Sequence, residues 1–294
     1  MRSLLFIPGD SPTKLAKGLQ SGADALLLDL EDSVAPDAKA AARSLLADYI
    51  GKHRAQSGRP RLYVRINSPD SGLWGDDLGA IVAAGPDGIL VPKTRSGADV
   101  AALGRELDTR EAAARLPAGS IAIIAIATEV AISLLRMESY VGSSQRLKGL
   151  TWGAEDLMAD LGSLANRDQG GAYTSPFRLA RDLCLLASAA AGVDAIDTVH
   201  VDLRNPEGLA AECRAAARDG FTGKMAIHPA QVPVINLAFT PAPVEIARAQ
   251  KIVDHFRAHP GAGVVAIDGR MIDRPHIKAA ERLLARAALV TRGA

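Results

Sequence analysis

Short, uninterrupted apolar runs recur along the chain, and a longer stretch with helical periodicity follows most of them. An apolar run of about four to eight residues without alternation is typical of a strand that is covered on both faces. The runs are SLLFIP (3–8), ALLLDL (25–30), LYVRIN (62–67), GILVPK (88–93), IAIIAIA (121–127), LKGLTW (147–152), AIDTVHV (195–201) and GKMAIHP (223–229). The pattern therefore predicts eight strands that alternate with helices.

Strands that alternate with helices form parallel βαβ units. Eight such units between residues 3 and 229 predict an α/β protein with a closed (β/α)₈ TIM barrel. A doubly wound open sheet is the alternative. It is weakened because no G-x-G-x-x-G motif follows the first strand.

The last part of the chain does not fit an eighth βα unit. TPAPVEIARAQKIVDHFRAH predicts a helix, GAGVVAIDGRMID a small hairpin with Asp268 and Gly269 at its turn, and RPHIKAAERLLARAALV an amphipathic helix. We therefore expect a barrel domain at residues 1–235 and a helical and hairpin extension at residues 236–294.

The composition limits the class of partner. A formal net charge of +1 gives no global field for nucleic acid or an anionic membrane, and 4% aromatic residues leave little surface for base stacking. The longest apolar run, residues 121–127, is too short to span a bilayer, and the apolar run at the N-terminus is too short for a signal peptide. Cys184 and Cys213 lie in Ala-rich helical patterns, typical of reduced thiols. We expect a cytoplasmic protein without nucleic-acid or membrane partners.

Polar side chains gather at the predicted carboxyl ends of the strands, where TIM barrels carry their active sites. In chain order they are Asp29, Glu31, Asp32, Arg65, Asn67, Lys93, Glu129, Glu155, Asp156, His200, Asp202 and His228. Taken singly, an acid after a strand is as well explained as a helix cap, and Lys93 as a salt-bridge partner.

The acids become more informative when they are considered together, because a barrel brings its strand ends into one mouth. Several carboxylates at low dielectric repel one another unless a cation lies among them. Arg65 and Lys93 supply part of the positive charge. Carboxylate oxygens without a Cys/His cluster favour a hard cation such as Mg²⁺.

Six motifs, in this order along the chain, resemble the citrate lyase β-subunit-like branch of the HpcH/HpaI aldolase superfamily. They are RSLLFIPGDSPTKLAKGLQSGADALLLDLEDSVAPDAKAAAR, VRIN, GILVPKT, LKGLTWGAEDLMADLG, GFTGKMAIHPAQV and DGRMIDRP. The resemblance covers nearly the whole chain. It implies a (β/α)₈ barrel whose C-terminal extension reaches a neighbouring subunit, in a homotrimer or hexamer.

The resemblance also implies a metal site. Mg²⁺ would be held by Glu129 and Asp156. Asp156 lies in the family's G-x-E-D-L pattern, whereas the IATEVAIS sequence around Glu129 is a variant of the I-E-T-x-x-G found in many relatives. Glu31 and Asp32 match an acidic pair that would hold the waters bound to the metal.

Further residues are expected to act on the substrate. Arg65 matches an arginine that grips the substrate carboxylate and the enolate oxygen, and we expect Asn67 and Lys93 beside it in the substrate site. Asp273 matches an acid that the extension delivers to the next subunit's active site. It is our hypothesis for the base, or the matching acid, of the reaction.

The reaction that the resemblance implies is the reversible cleavage of a β-hydroxyacyl-CoA into an acyl-CoA and a 2-oxo acid. Two alternatives stay open: a Schiff-base aldolase that uses Lys93 as its nucleophile, and a non-catalytic barrel that binds CoA as a subunit. The choice among malyl-, citramalyl-, citryl- and methylmalyl-CoA is not fixed by residue type, because a methylene contact is worth only about 1–3 kcal/mol.

Overall fold

The structure, a computed structural model, describes residues 1–259, 263–267 and 270–292. The chain divides into two compact units, Met1–Asn236 and Leu237–Ala294. No helix in the described part of the chain has the length and apolar character needed to cross a membrane.

Eight parallel strands close into a barrel in the order of the sequence. They are β1 (Ser3–Pro8), β2 (Ala25–Asp29), β3 (Arg61–Arg65), β4 (Gly88–Val91), β5 (Ala122–Ile126), β6 (Leu147–Thr151), β7 (Asp194–Asp197) and β8 (Gly223–Ala226). The barrel closes between β1 and β8, where Leu4 lies opposite Met225. The predicted TIM barrel is confirmed, and an open sheet is excluded because β1 has a partner on both sides.

One or two helices lie between each pair of consecutive strands, as the alternation predicted, and a further helix follows β8. They are α1 (Pro12–Gly18), α2 (Lys39–His53), α3 (Trp74–Ile81), α4 (Gly97–Ala113), α5 (Ala131–Leu134), α6 (Ala154–Leu161), α7 (Ser175–Ala191), α8 (Pro206–Asp219) and α9 (Val232–Phe239). Two helices, α6 and α7, follow β6 and are joined by residues 162–174. Cys184 on α7 and Cys213 on α8 are buried and free.

Both faces of the barrel strands are covered by other parts of the protein. Inward-facing side chains such as Leu27, Tyr63, Leu90 and Ile196 form one buried cluster in the barrel. The four strands β2, β4, β5 and β8 are buried or nearly buried along their whole length, which explains why their sequences lack an apolar–polar alternation. Lys224 of β8 is an exception, since its buried ammonium pairs with Asp197 at the end of β7 over 2.9 Å.

The second unit has its own small core. It contains α10 (Pro243–Ala258), an antiparallel pair of strands, β9 (Val264–Ile267) and β10 (Arg270–Asp273), and α11 (Arg274–Arg292). The apolar faces of the helices and strands meet at Ile252, Phe256 and Ile272. The structure therefore contains the predicted strand pair, while its predicted turn at Asp268 and Gly269 lies outside the described residues.

Candidate active site

A cavity of about 530 Å³ opens at the carboxyl ends of the barrel strands. Residues from the ends of β1, β2, β3, β5, β6, β7 and β8 line it, among them Asp29, Arg65, Glu129, Glu155 and Asp156. This central cavity is where the strand-end positions of the sequence predicted an active site.

Asp29 and Arg65 form an ion pair in the wall of the central cavity. The two residues are direct neighbours in the β2–β3 register. Arg65 donates from Nε and Nη2 to the two Asp29 carboxylate oxygens, each over 2.7 Å. Burial favours the neutral acid, but the hydrogen bonds and charge of Arg65 outweigh it and lower the pKa of Asp29 below its usual value. Sequence reasoning assigned Asp29 no particular role, although its position on the strand before that of Arg65 is the signal that identifies it.

Arg65 has two further contacts that fix its orientation. Its Nη1 lies 2.9 Å from Oε2 of Glu31, and its guanidinium carbon lies 4.8 Å from the centroid of the Phe6 ring. The side chain is 12% exposed, and it lines the central cavity. A cation held in this way presents donors to an anionic ligand without having to be reoriented.

Lys93 connects the acids around the central cavity. Its Nζ lies 2.7 Å from Glu31 Oε1, 3.2 Å from Asp32 Oδ2 and 3.3 Å from Asp156 Oδ1. Burial opposes the charge, but the carboxylates of Glu31, Asp156 and Asp32 outweigh it and raise the pKa of Lys93 above its usual value. A Schiff-base nucleophile must be a neutral amine, so these ion pairs argue against that alternative.

The backbone of Lys93 has an unusual conformation. Its φ of 52° lies in the left-handed region, which is uncommon for a residue other than glycine. In this conformation its N–H donates over 2.6 Å to Oε2 of Glu129. One residue thus contacts both of the predicted metal ligands, Glu129 through the backbone and Asp156 through the side chain.

Glu129 is almost completely buried, with 3% of its surface exposed. Burial first, and then the negative charges of Asp156 and Glu31, raise its pKa well above the usual value. Such a carboxyl group ionises readily when a cation lies beside it. Gly153 gives it room, because a Cβ at position 153 would lie 2.6 Å from Glu129 Cγ.

The donor set fits Mg²⁺. No group of three or more His, Cys, Asp or Glu side chains within the described ranges has the arrangement of a metal site. Glu129 and Asp156, the two predicted metal ligands, both line the central cavity. That number suits Mg²⁺, which commonly takes one or two carboxylates and leaves its other positions to water or substrate.

Asn67 is not one of the residues that line the central cavity. It is 4% exposed, and its Nδ2 donates to Leu30 O over 3.0 Å and to Asp77 Oδ2 over 2.7 Å. Asp77 is also buried, and it accepts a hydrogen bond from Arg43 over 2.7 Å. In the structure, Asn67 ties the ends of β2 and β3 to α3, so it supports the rim rather than facing the space inside it.

Another acid at a strand end and two lysines of α1 also line the central cavity. Glu155 lines the central cavity and accepts a hydrogen bond from Asn166 over 2.8 Å. Lys14 and Lys17 of α1 also line it. Their spacing of three residues on a helix that follows the first strand is the sequence signal for this pair.

Asp273 belongs to the second unit. It is the last residue of β10, and Nδ1 of His276 lies 2.5 Å from its Oδ1. Its side chain is 37% exposed. The predicted place of Asp273 at a neighbouring subunit's active site stays a prediction.

The chain resembles known proteins over nearly its whole length. A family model described as HpcH/HpaI aldolase/citrate lyase matches residues 2–229. The citrate lyase subunit beta-like protein of Mycobacterium tuberculosis is 35% identical over 98% of this chain and 96% of that protein. A (3S)-malyl-CoA thioesterase of Cereibacter sphaeroides is 35% identical over 97% of this chain and 94% of that protein.

A solved structure agrees with this relationship. It is that of the protein CitE from Mycobacterium tuberculosis in complex with magnesium, acetoacetate and coenzyme A. It is 34% identical and covers 98% of each chain with a TM-score of 0.77. The chain therefore belongs to the HpcH/HpaI aldolase/citrate lyase family, a lyase family of the aldolase type.

Proposed function

We propose that this protein is a Mg²⁺-dependent carbon–carbon lyase that reversibly cleaves a β-hydroxyacyl-CoA into an acyl-CoA and a 2-oxo acid. The observation that carries the proposal is the meeting of Glu129, Asp156 and Arg65 at one cavity. A related protein of known structure binds magnesium and coenzyme A. When bound at the two carboxylates, Mg²⁺ would act as a Lewis acid on the oxygens of the 2-oxo acid.

Arg65 would hold the anionic end of the substrate. Its guanidinium is a permanent cation, and Asp29 and Phe6 fix its plane. Charge-assisted hydrogen bonds from Arg65 to oxygens that gain negative charge would stabilise the transition state more than the ground state.

Lys93 would position rather than react. Its backbone N–H holds Glu129, and its ammonium group lies among the other acids. Glu31 and Asp32, which pair with it, would accept hydrogen bonds from water bound to the metal. Lys14 and Lys17 supply positive charge for the CoA phosphates at another part of the cavity wall.

The proton transfer is assigned to Asp273 of a neighbouring subunit. A base is needed to remove a proton from the acyl-CoA methyl group in the condensing direction, and an acid is needed in the other. This assignment requires a homotrimer or hexamer in which the second unit reaches the next barrel. We propose that the reaction takes place in the cytoplasm, a compartment in which thiols such as those of the two free cysteines stay reduced.

A panel of 3-hydroxyacyl-CoA esters incubated with Mg²⁺, with products separated by chromatography and mass spectrometry, tests the reaction. The lyase releases an acyl-CoA and a 2-oxo acid, and EDTA abolishes the release. Glu129→Gln should lower the rate at least 100-fold. Glu138→Gln, the same change at an exposed position, should leave it unchanged.

The products also separate the proposal from its competitors. Free CoA together with an intact hydroxy acid would indicate thioester hydrolysis, the activity named for the Cereibacter sphaeroides relative. Cleavage that resists EDTA and is trapped by borohydride would indicate a Schiff base on Lys93. Binding of CoA esters without any turnover would indicate a non-catalytic subunit.

A further inference from the structure

A second cavity, of about 560 Å³, lies between the first turns of α7 and α8 and the end of β7. Its walls include Arg167, Tyr173, Arg178, His200, Asn205 and Gly208. It has no lining residue in common with the central cavity among those the structure describes. The proposed lyase reaction uses none of these side chains.

Two of the three acids that line the second cavity, Asp197 and Glu212, are paired with cations, whereas Asp202 is exposed and its Oδ1 accepts a hydrogen bond from the N–H of Arg204 over 3.0 Å. Asp197 accepts hydrogen bonds from Trp152 Nε1 over 2.7 Å and from Lys224 Nζ over 2.9 Å. Glu212 lies 2.7 Å from Arg167 Nη2 and 3.3 Å from the same lysine. Burial favours the neutral acid, but His200, Lys224 and Arg167 outweigh it and lower the pKa of Glu212 to about 2. These carboxylates are therefore held as partners of cations within the wall.

His200 and Arg178 are the donors that remain. His200 is 6% exposed, and neither ring nitrogen makes a hydrogen bond, although Nδ1 lies 3.1 Å from Glu212 Oε2. Nδ1 is thus close enough to pair with Glu212, whereas Nε2 is a buried atom without a hydrogen-bond partner among the described residues, which calls for an explanation. Its carbonyl is held by Gln231 Nε2 over 2.8 Å, so the backbone at His200 is fixed. The guanidinium of Arg178 is exposed, and it forms no ion pair within the described part of the chain.

Two helix ends add to the positive field. Arg178 lies in the first turn of α7, and Asn205 is the N-cap of α8. The two helices are 17 and 14 residues long, and the amino end of a helix attracts anions through its dipole. Thr174, the N-cap of α7, makes no capping hydrogen bond with its side chain.

We propose that the second cavity binds a small oxyanion, a phosphate or carboxylate group, between Arg178 and His200. Arg178 would supply charge-assisted hydrogen bonds, His200 an additional ring donor, and the two helix ends the surrounding positive field. The arginine, histidine and paired helix ends are matched to an anion and not to a cation. The proposal does not depend on the lyase reaction, because it concerns binding at a separate site.

Trp152 offers a local signal for the test. It is fully buried, it donates to Asp197, and its ring lies 4.9 Å from that of Tyr173 in the cavity wall. The chain has two tryptophans, so Trp74→Phe in the full-length protein leaves Trp152 as the only one. Its fluorescence is titrated with inorganic phosphate and, separately, with malonate, at constant ionic strength with chloride as the blank. The comparison shows whether phosphate or carboxylate is preferred.

A saturable change with either anion is expected, and Arg178→Gln should weaken binding about tenfold or more. His200→Asn should also weaken it. The matched control is Arg105→Gln, which removes an exposed arginine of α4 and should leave binding unchanged. No saturable change, or a change that Arg178→Gln leaves intact, would overturn the proposal. Loss of the signal in Lys14→Gln instead would place the anion in the central cavity and would overturn it too.

Discussion

Replacing Gly153 with alanine would place a methyl group against Glu129. The new Cβ would lie 2.6 Å from Cγ, 3.0 Å from Oε1 and 3.2 Å from Cδ of that side chain. The φ of Gly153 is −120°, which alanine adopts without strain, so the whole effect comes from this contact. Glu129 has little freedom to retreat, because it is buried and its Oε2 is held by the N–H of Lys93 over 2.6 Å.

This contact should lower both the stability of the protein and its affinity for Mg²⁺. Extra atoms in a well-packed interior destabilise a fold by about 1–3 kcal/mol, and we expect the free energy of unfolding of Gly153→Ala to fall by that amount. Because the displaced side chain is a proposed ligand, we also expect the affinity for Mg²⁺ to fall about tenfold or more. Urea unfolding in EDTA followed by circular dichroism measures the first effect, and calorimetric titration with Mg²⁺ measures the second.

Gly51→Ala is the matched control. Gly51 lies inside α2 and is exposed, and a Cβ there meets nothing within 4 Å. Alanine should stabilise this helix by about 0.5–1 kcal/mol without changing metal affinity. Wild-type stability and wild-type Mg²⁺ affinity in Gly153→Ala would refute the reasoning, since the contact would then be relieved without moving the ligand.

Three other substitutions test the network around the site and the stability of the barrel. Arg65→Lys should lower kcat/KM about 100-fold in steady-state assays, because lysine lacks the planar fork that pairs with a carboxylate; a smaller loss than tenfold would contradict its role. Lys93→Gly should tighten Mg²⁺ binding about tenfold by calorimetry, because glycine keeps the left-handed backbone while the competing ammonium is removed; weaker binding would count against it. Burial opposes ionisation of Glu111, but Arg146 and nearby backbone N–H groups lower its pKa from 4.5 to about 2, so its stabilisation is present above about pH 4.5 and is lost as the pH falls through 2. Glu111→Gln should reduce the free energy of unfolding by about 3–5 kcal/mol at pH 7 and flatten the loss of stability between those pH values, and an unchanged acid profile would contradict this.

The barrel was predictable because its strands are covered on both faces. The predicted run at residues 147–152 differs from β6 by one residue, because every residue of β6 except Lys148 is buried. The run at 195–201 extends beyond β7, which ends at Asp197. Apolar character at Val199 reflects the central cavity wall rather than strand pairing, and the two are indistinguishable in sequence.

The connections within the site were less accessible to sequence reasoning. VPKT contains no glycine that would announce the left-handed backbone of Lys93. The role of Asn67 depends on Asp77, ten residues away and buried under the rim. Such pairings are set by strand register and helix placement, which periodicity does not resolve. Type and position at a strand end identified the acids, whereas the partner of each acid required coordinates.

The lysine among the acids has a practical consequence for metal substitution. Because its ammonium neutralises part of the carboxylate charge by itself, we expect the protein to remain folded after Mg²⁺ is stripped by a chelator. The stripped protein could then be loaded with Mn²⁺, whose unpaired electrons make the coordination sphere visible to magnetic resonance. The number of water molecules on the ion, before and after a 2-oxo acid is added, would become directly countable.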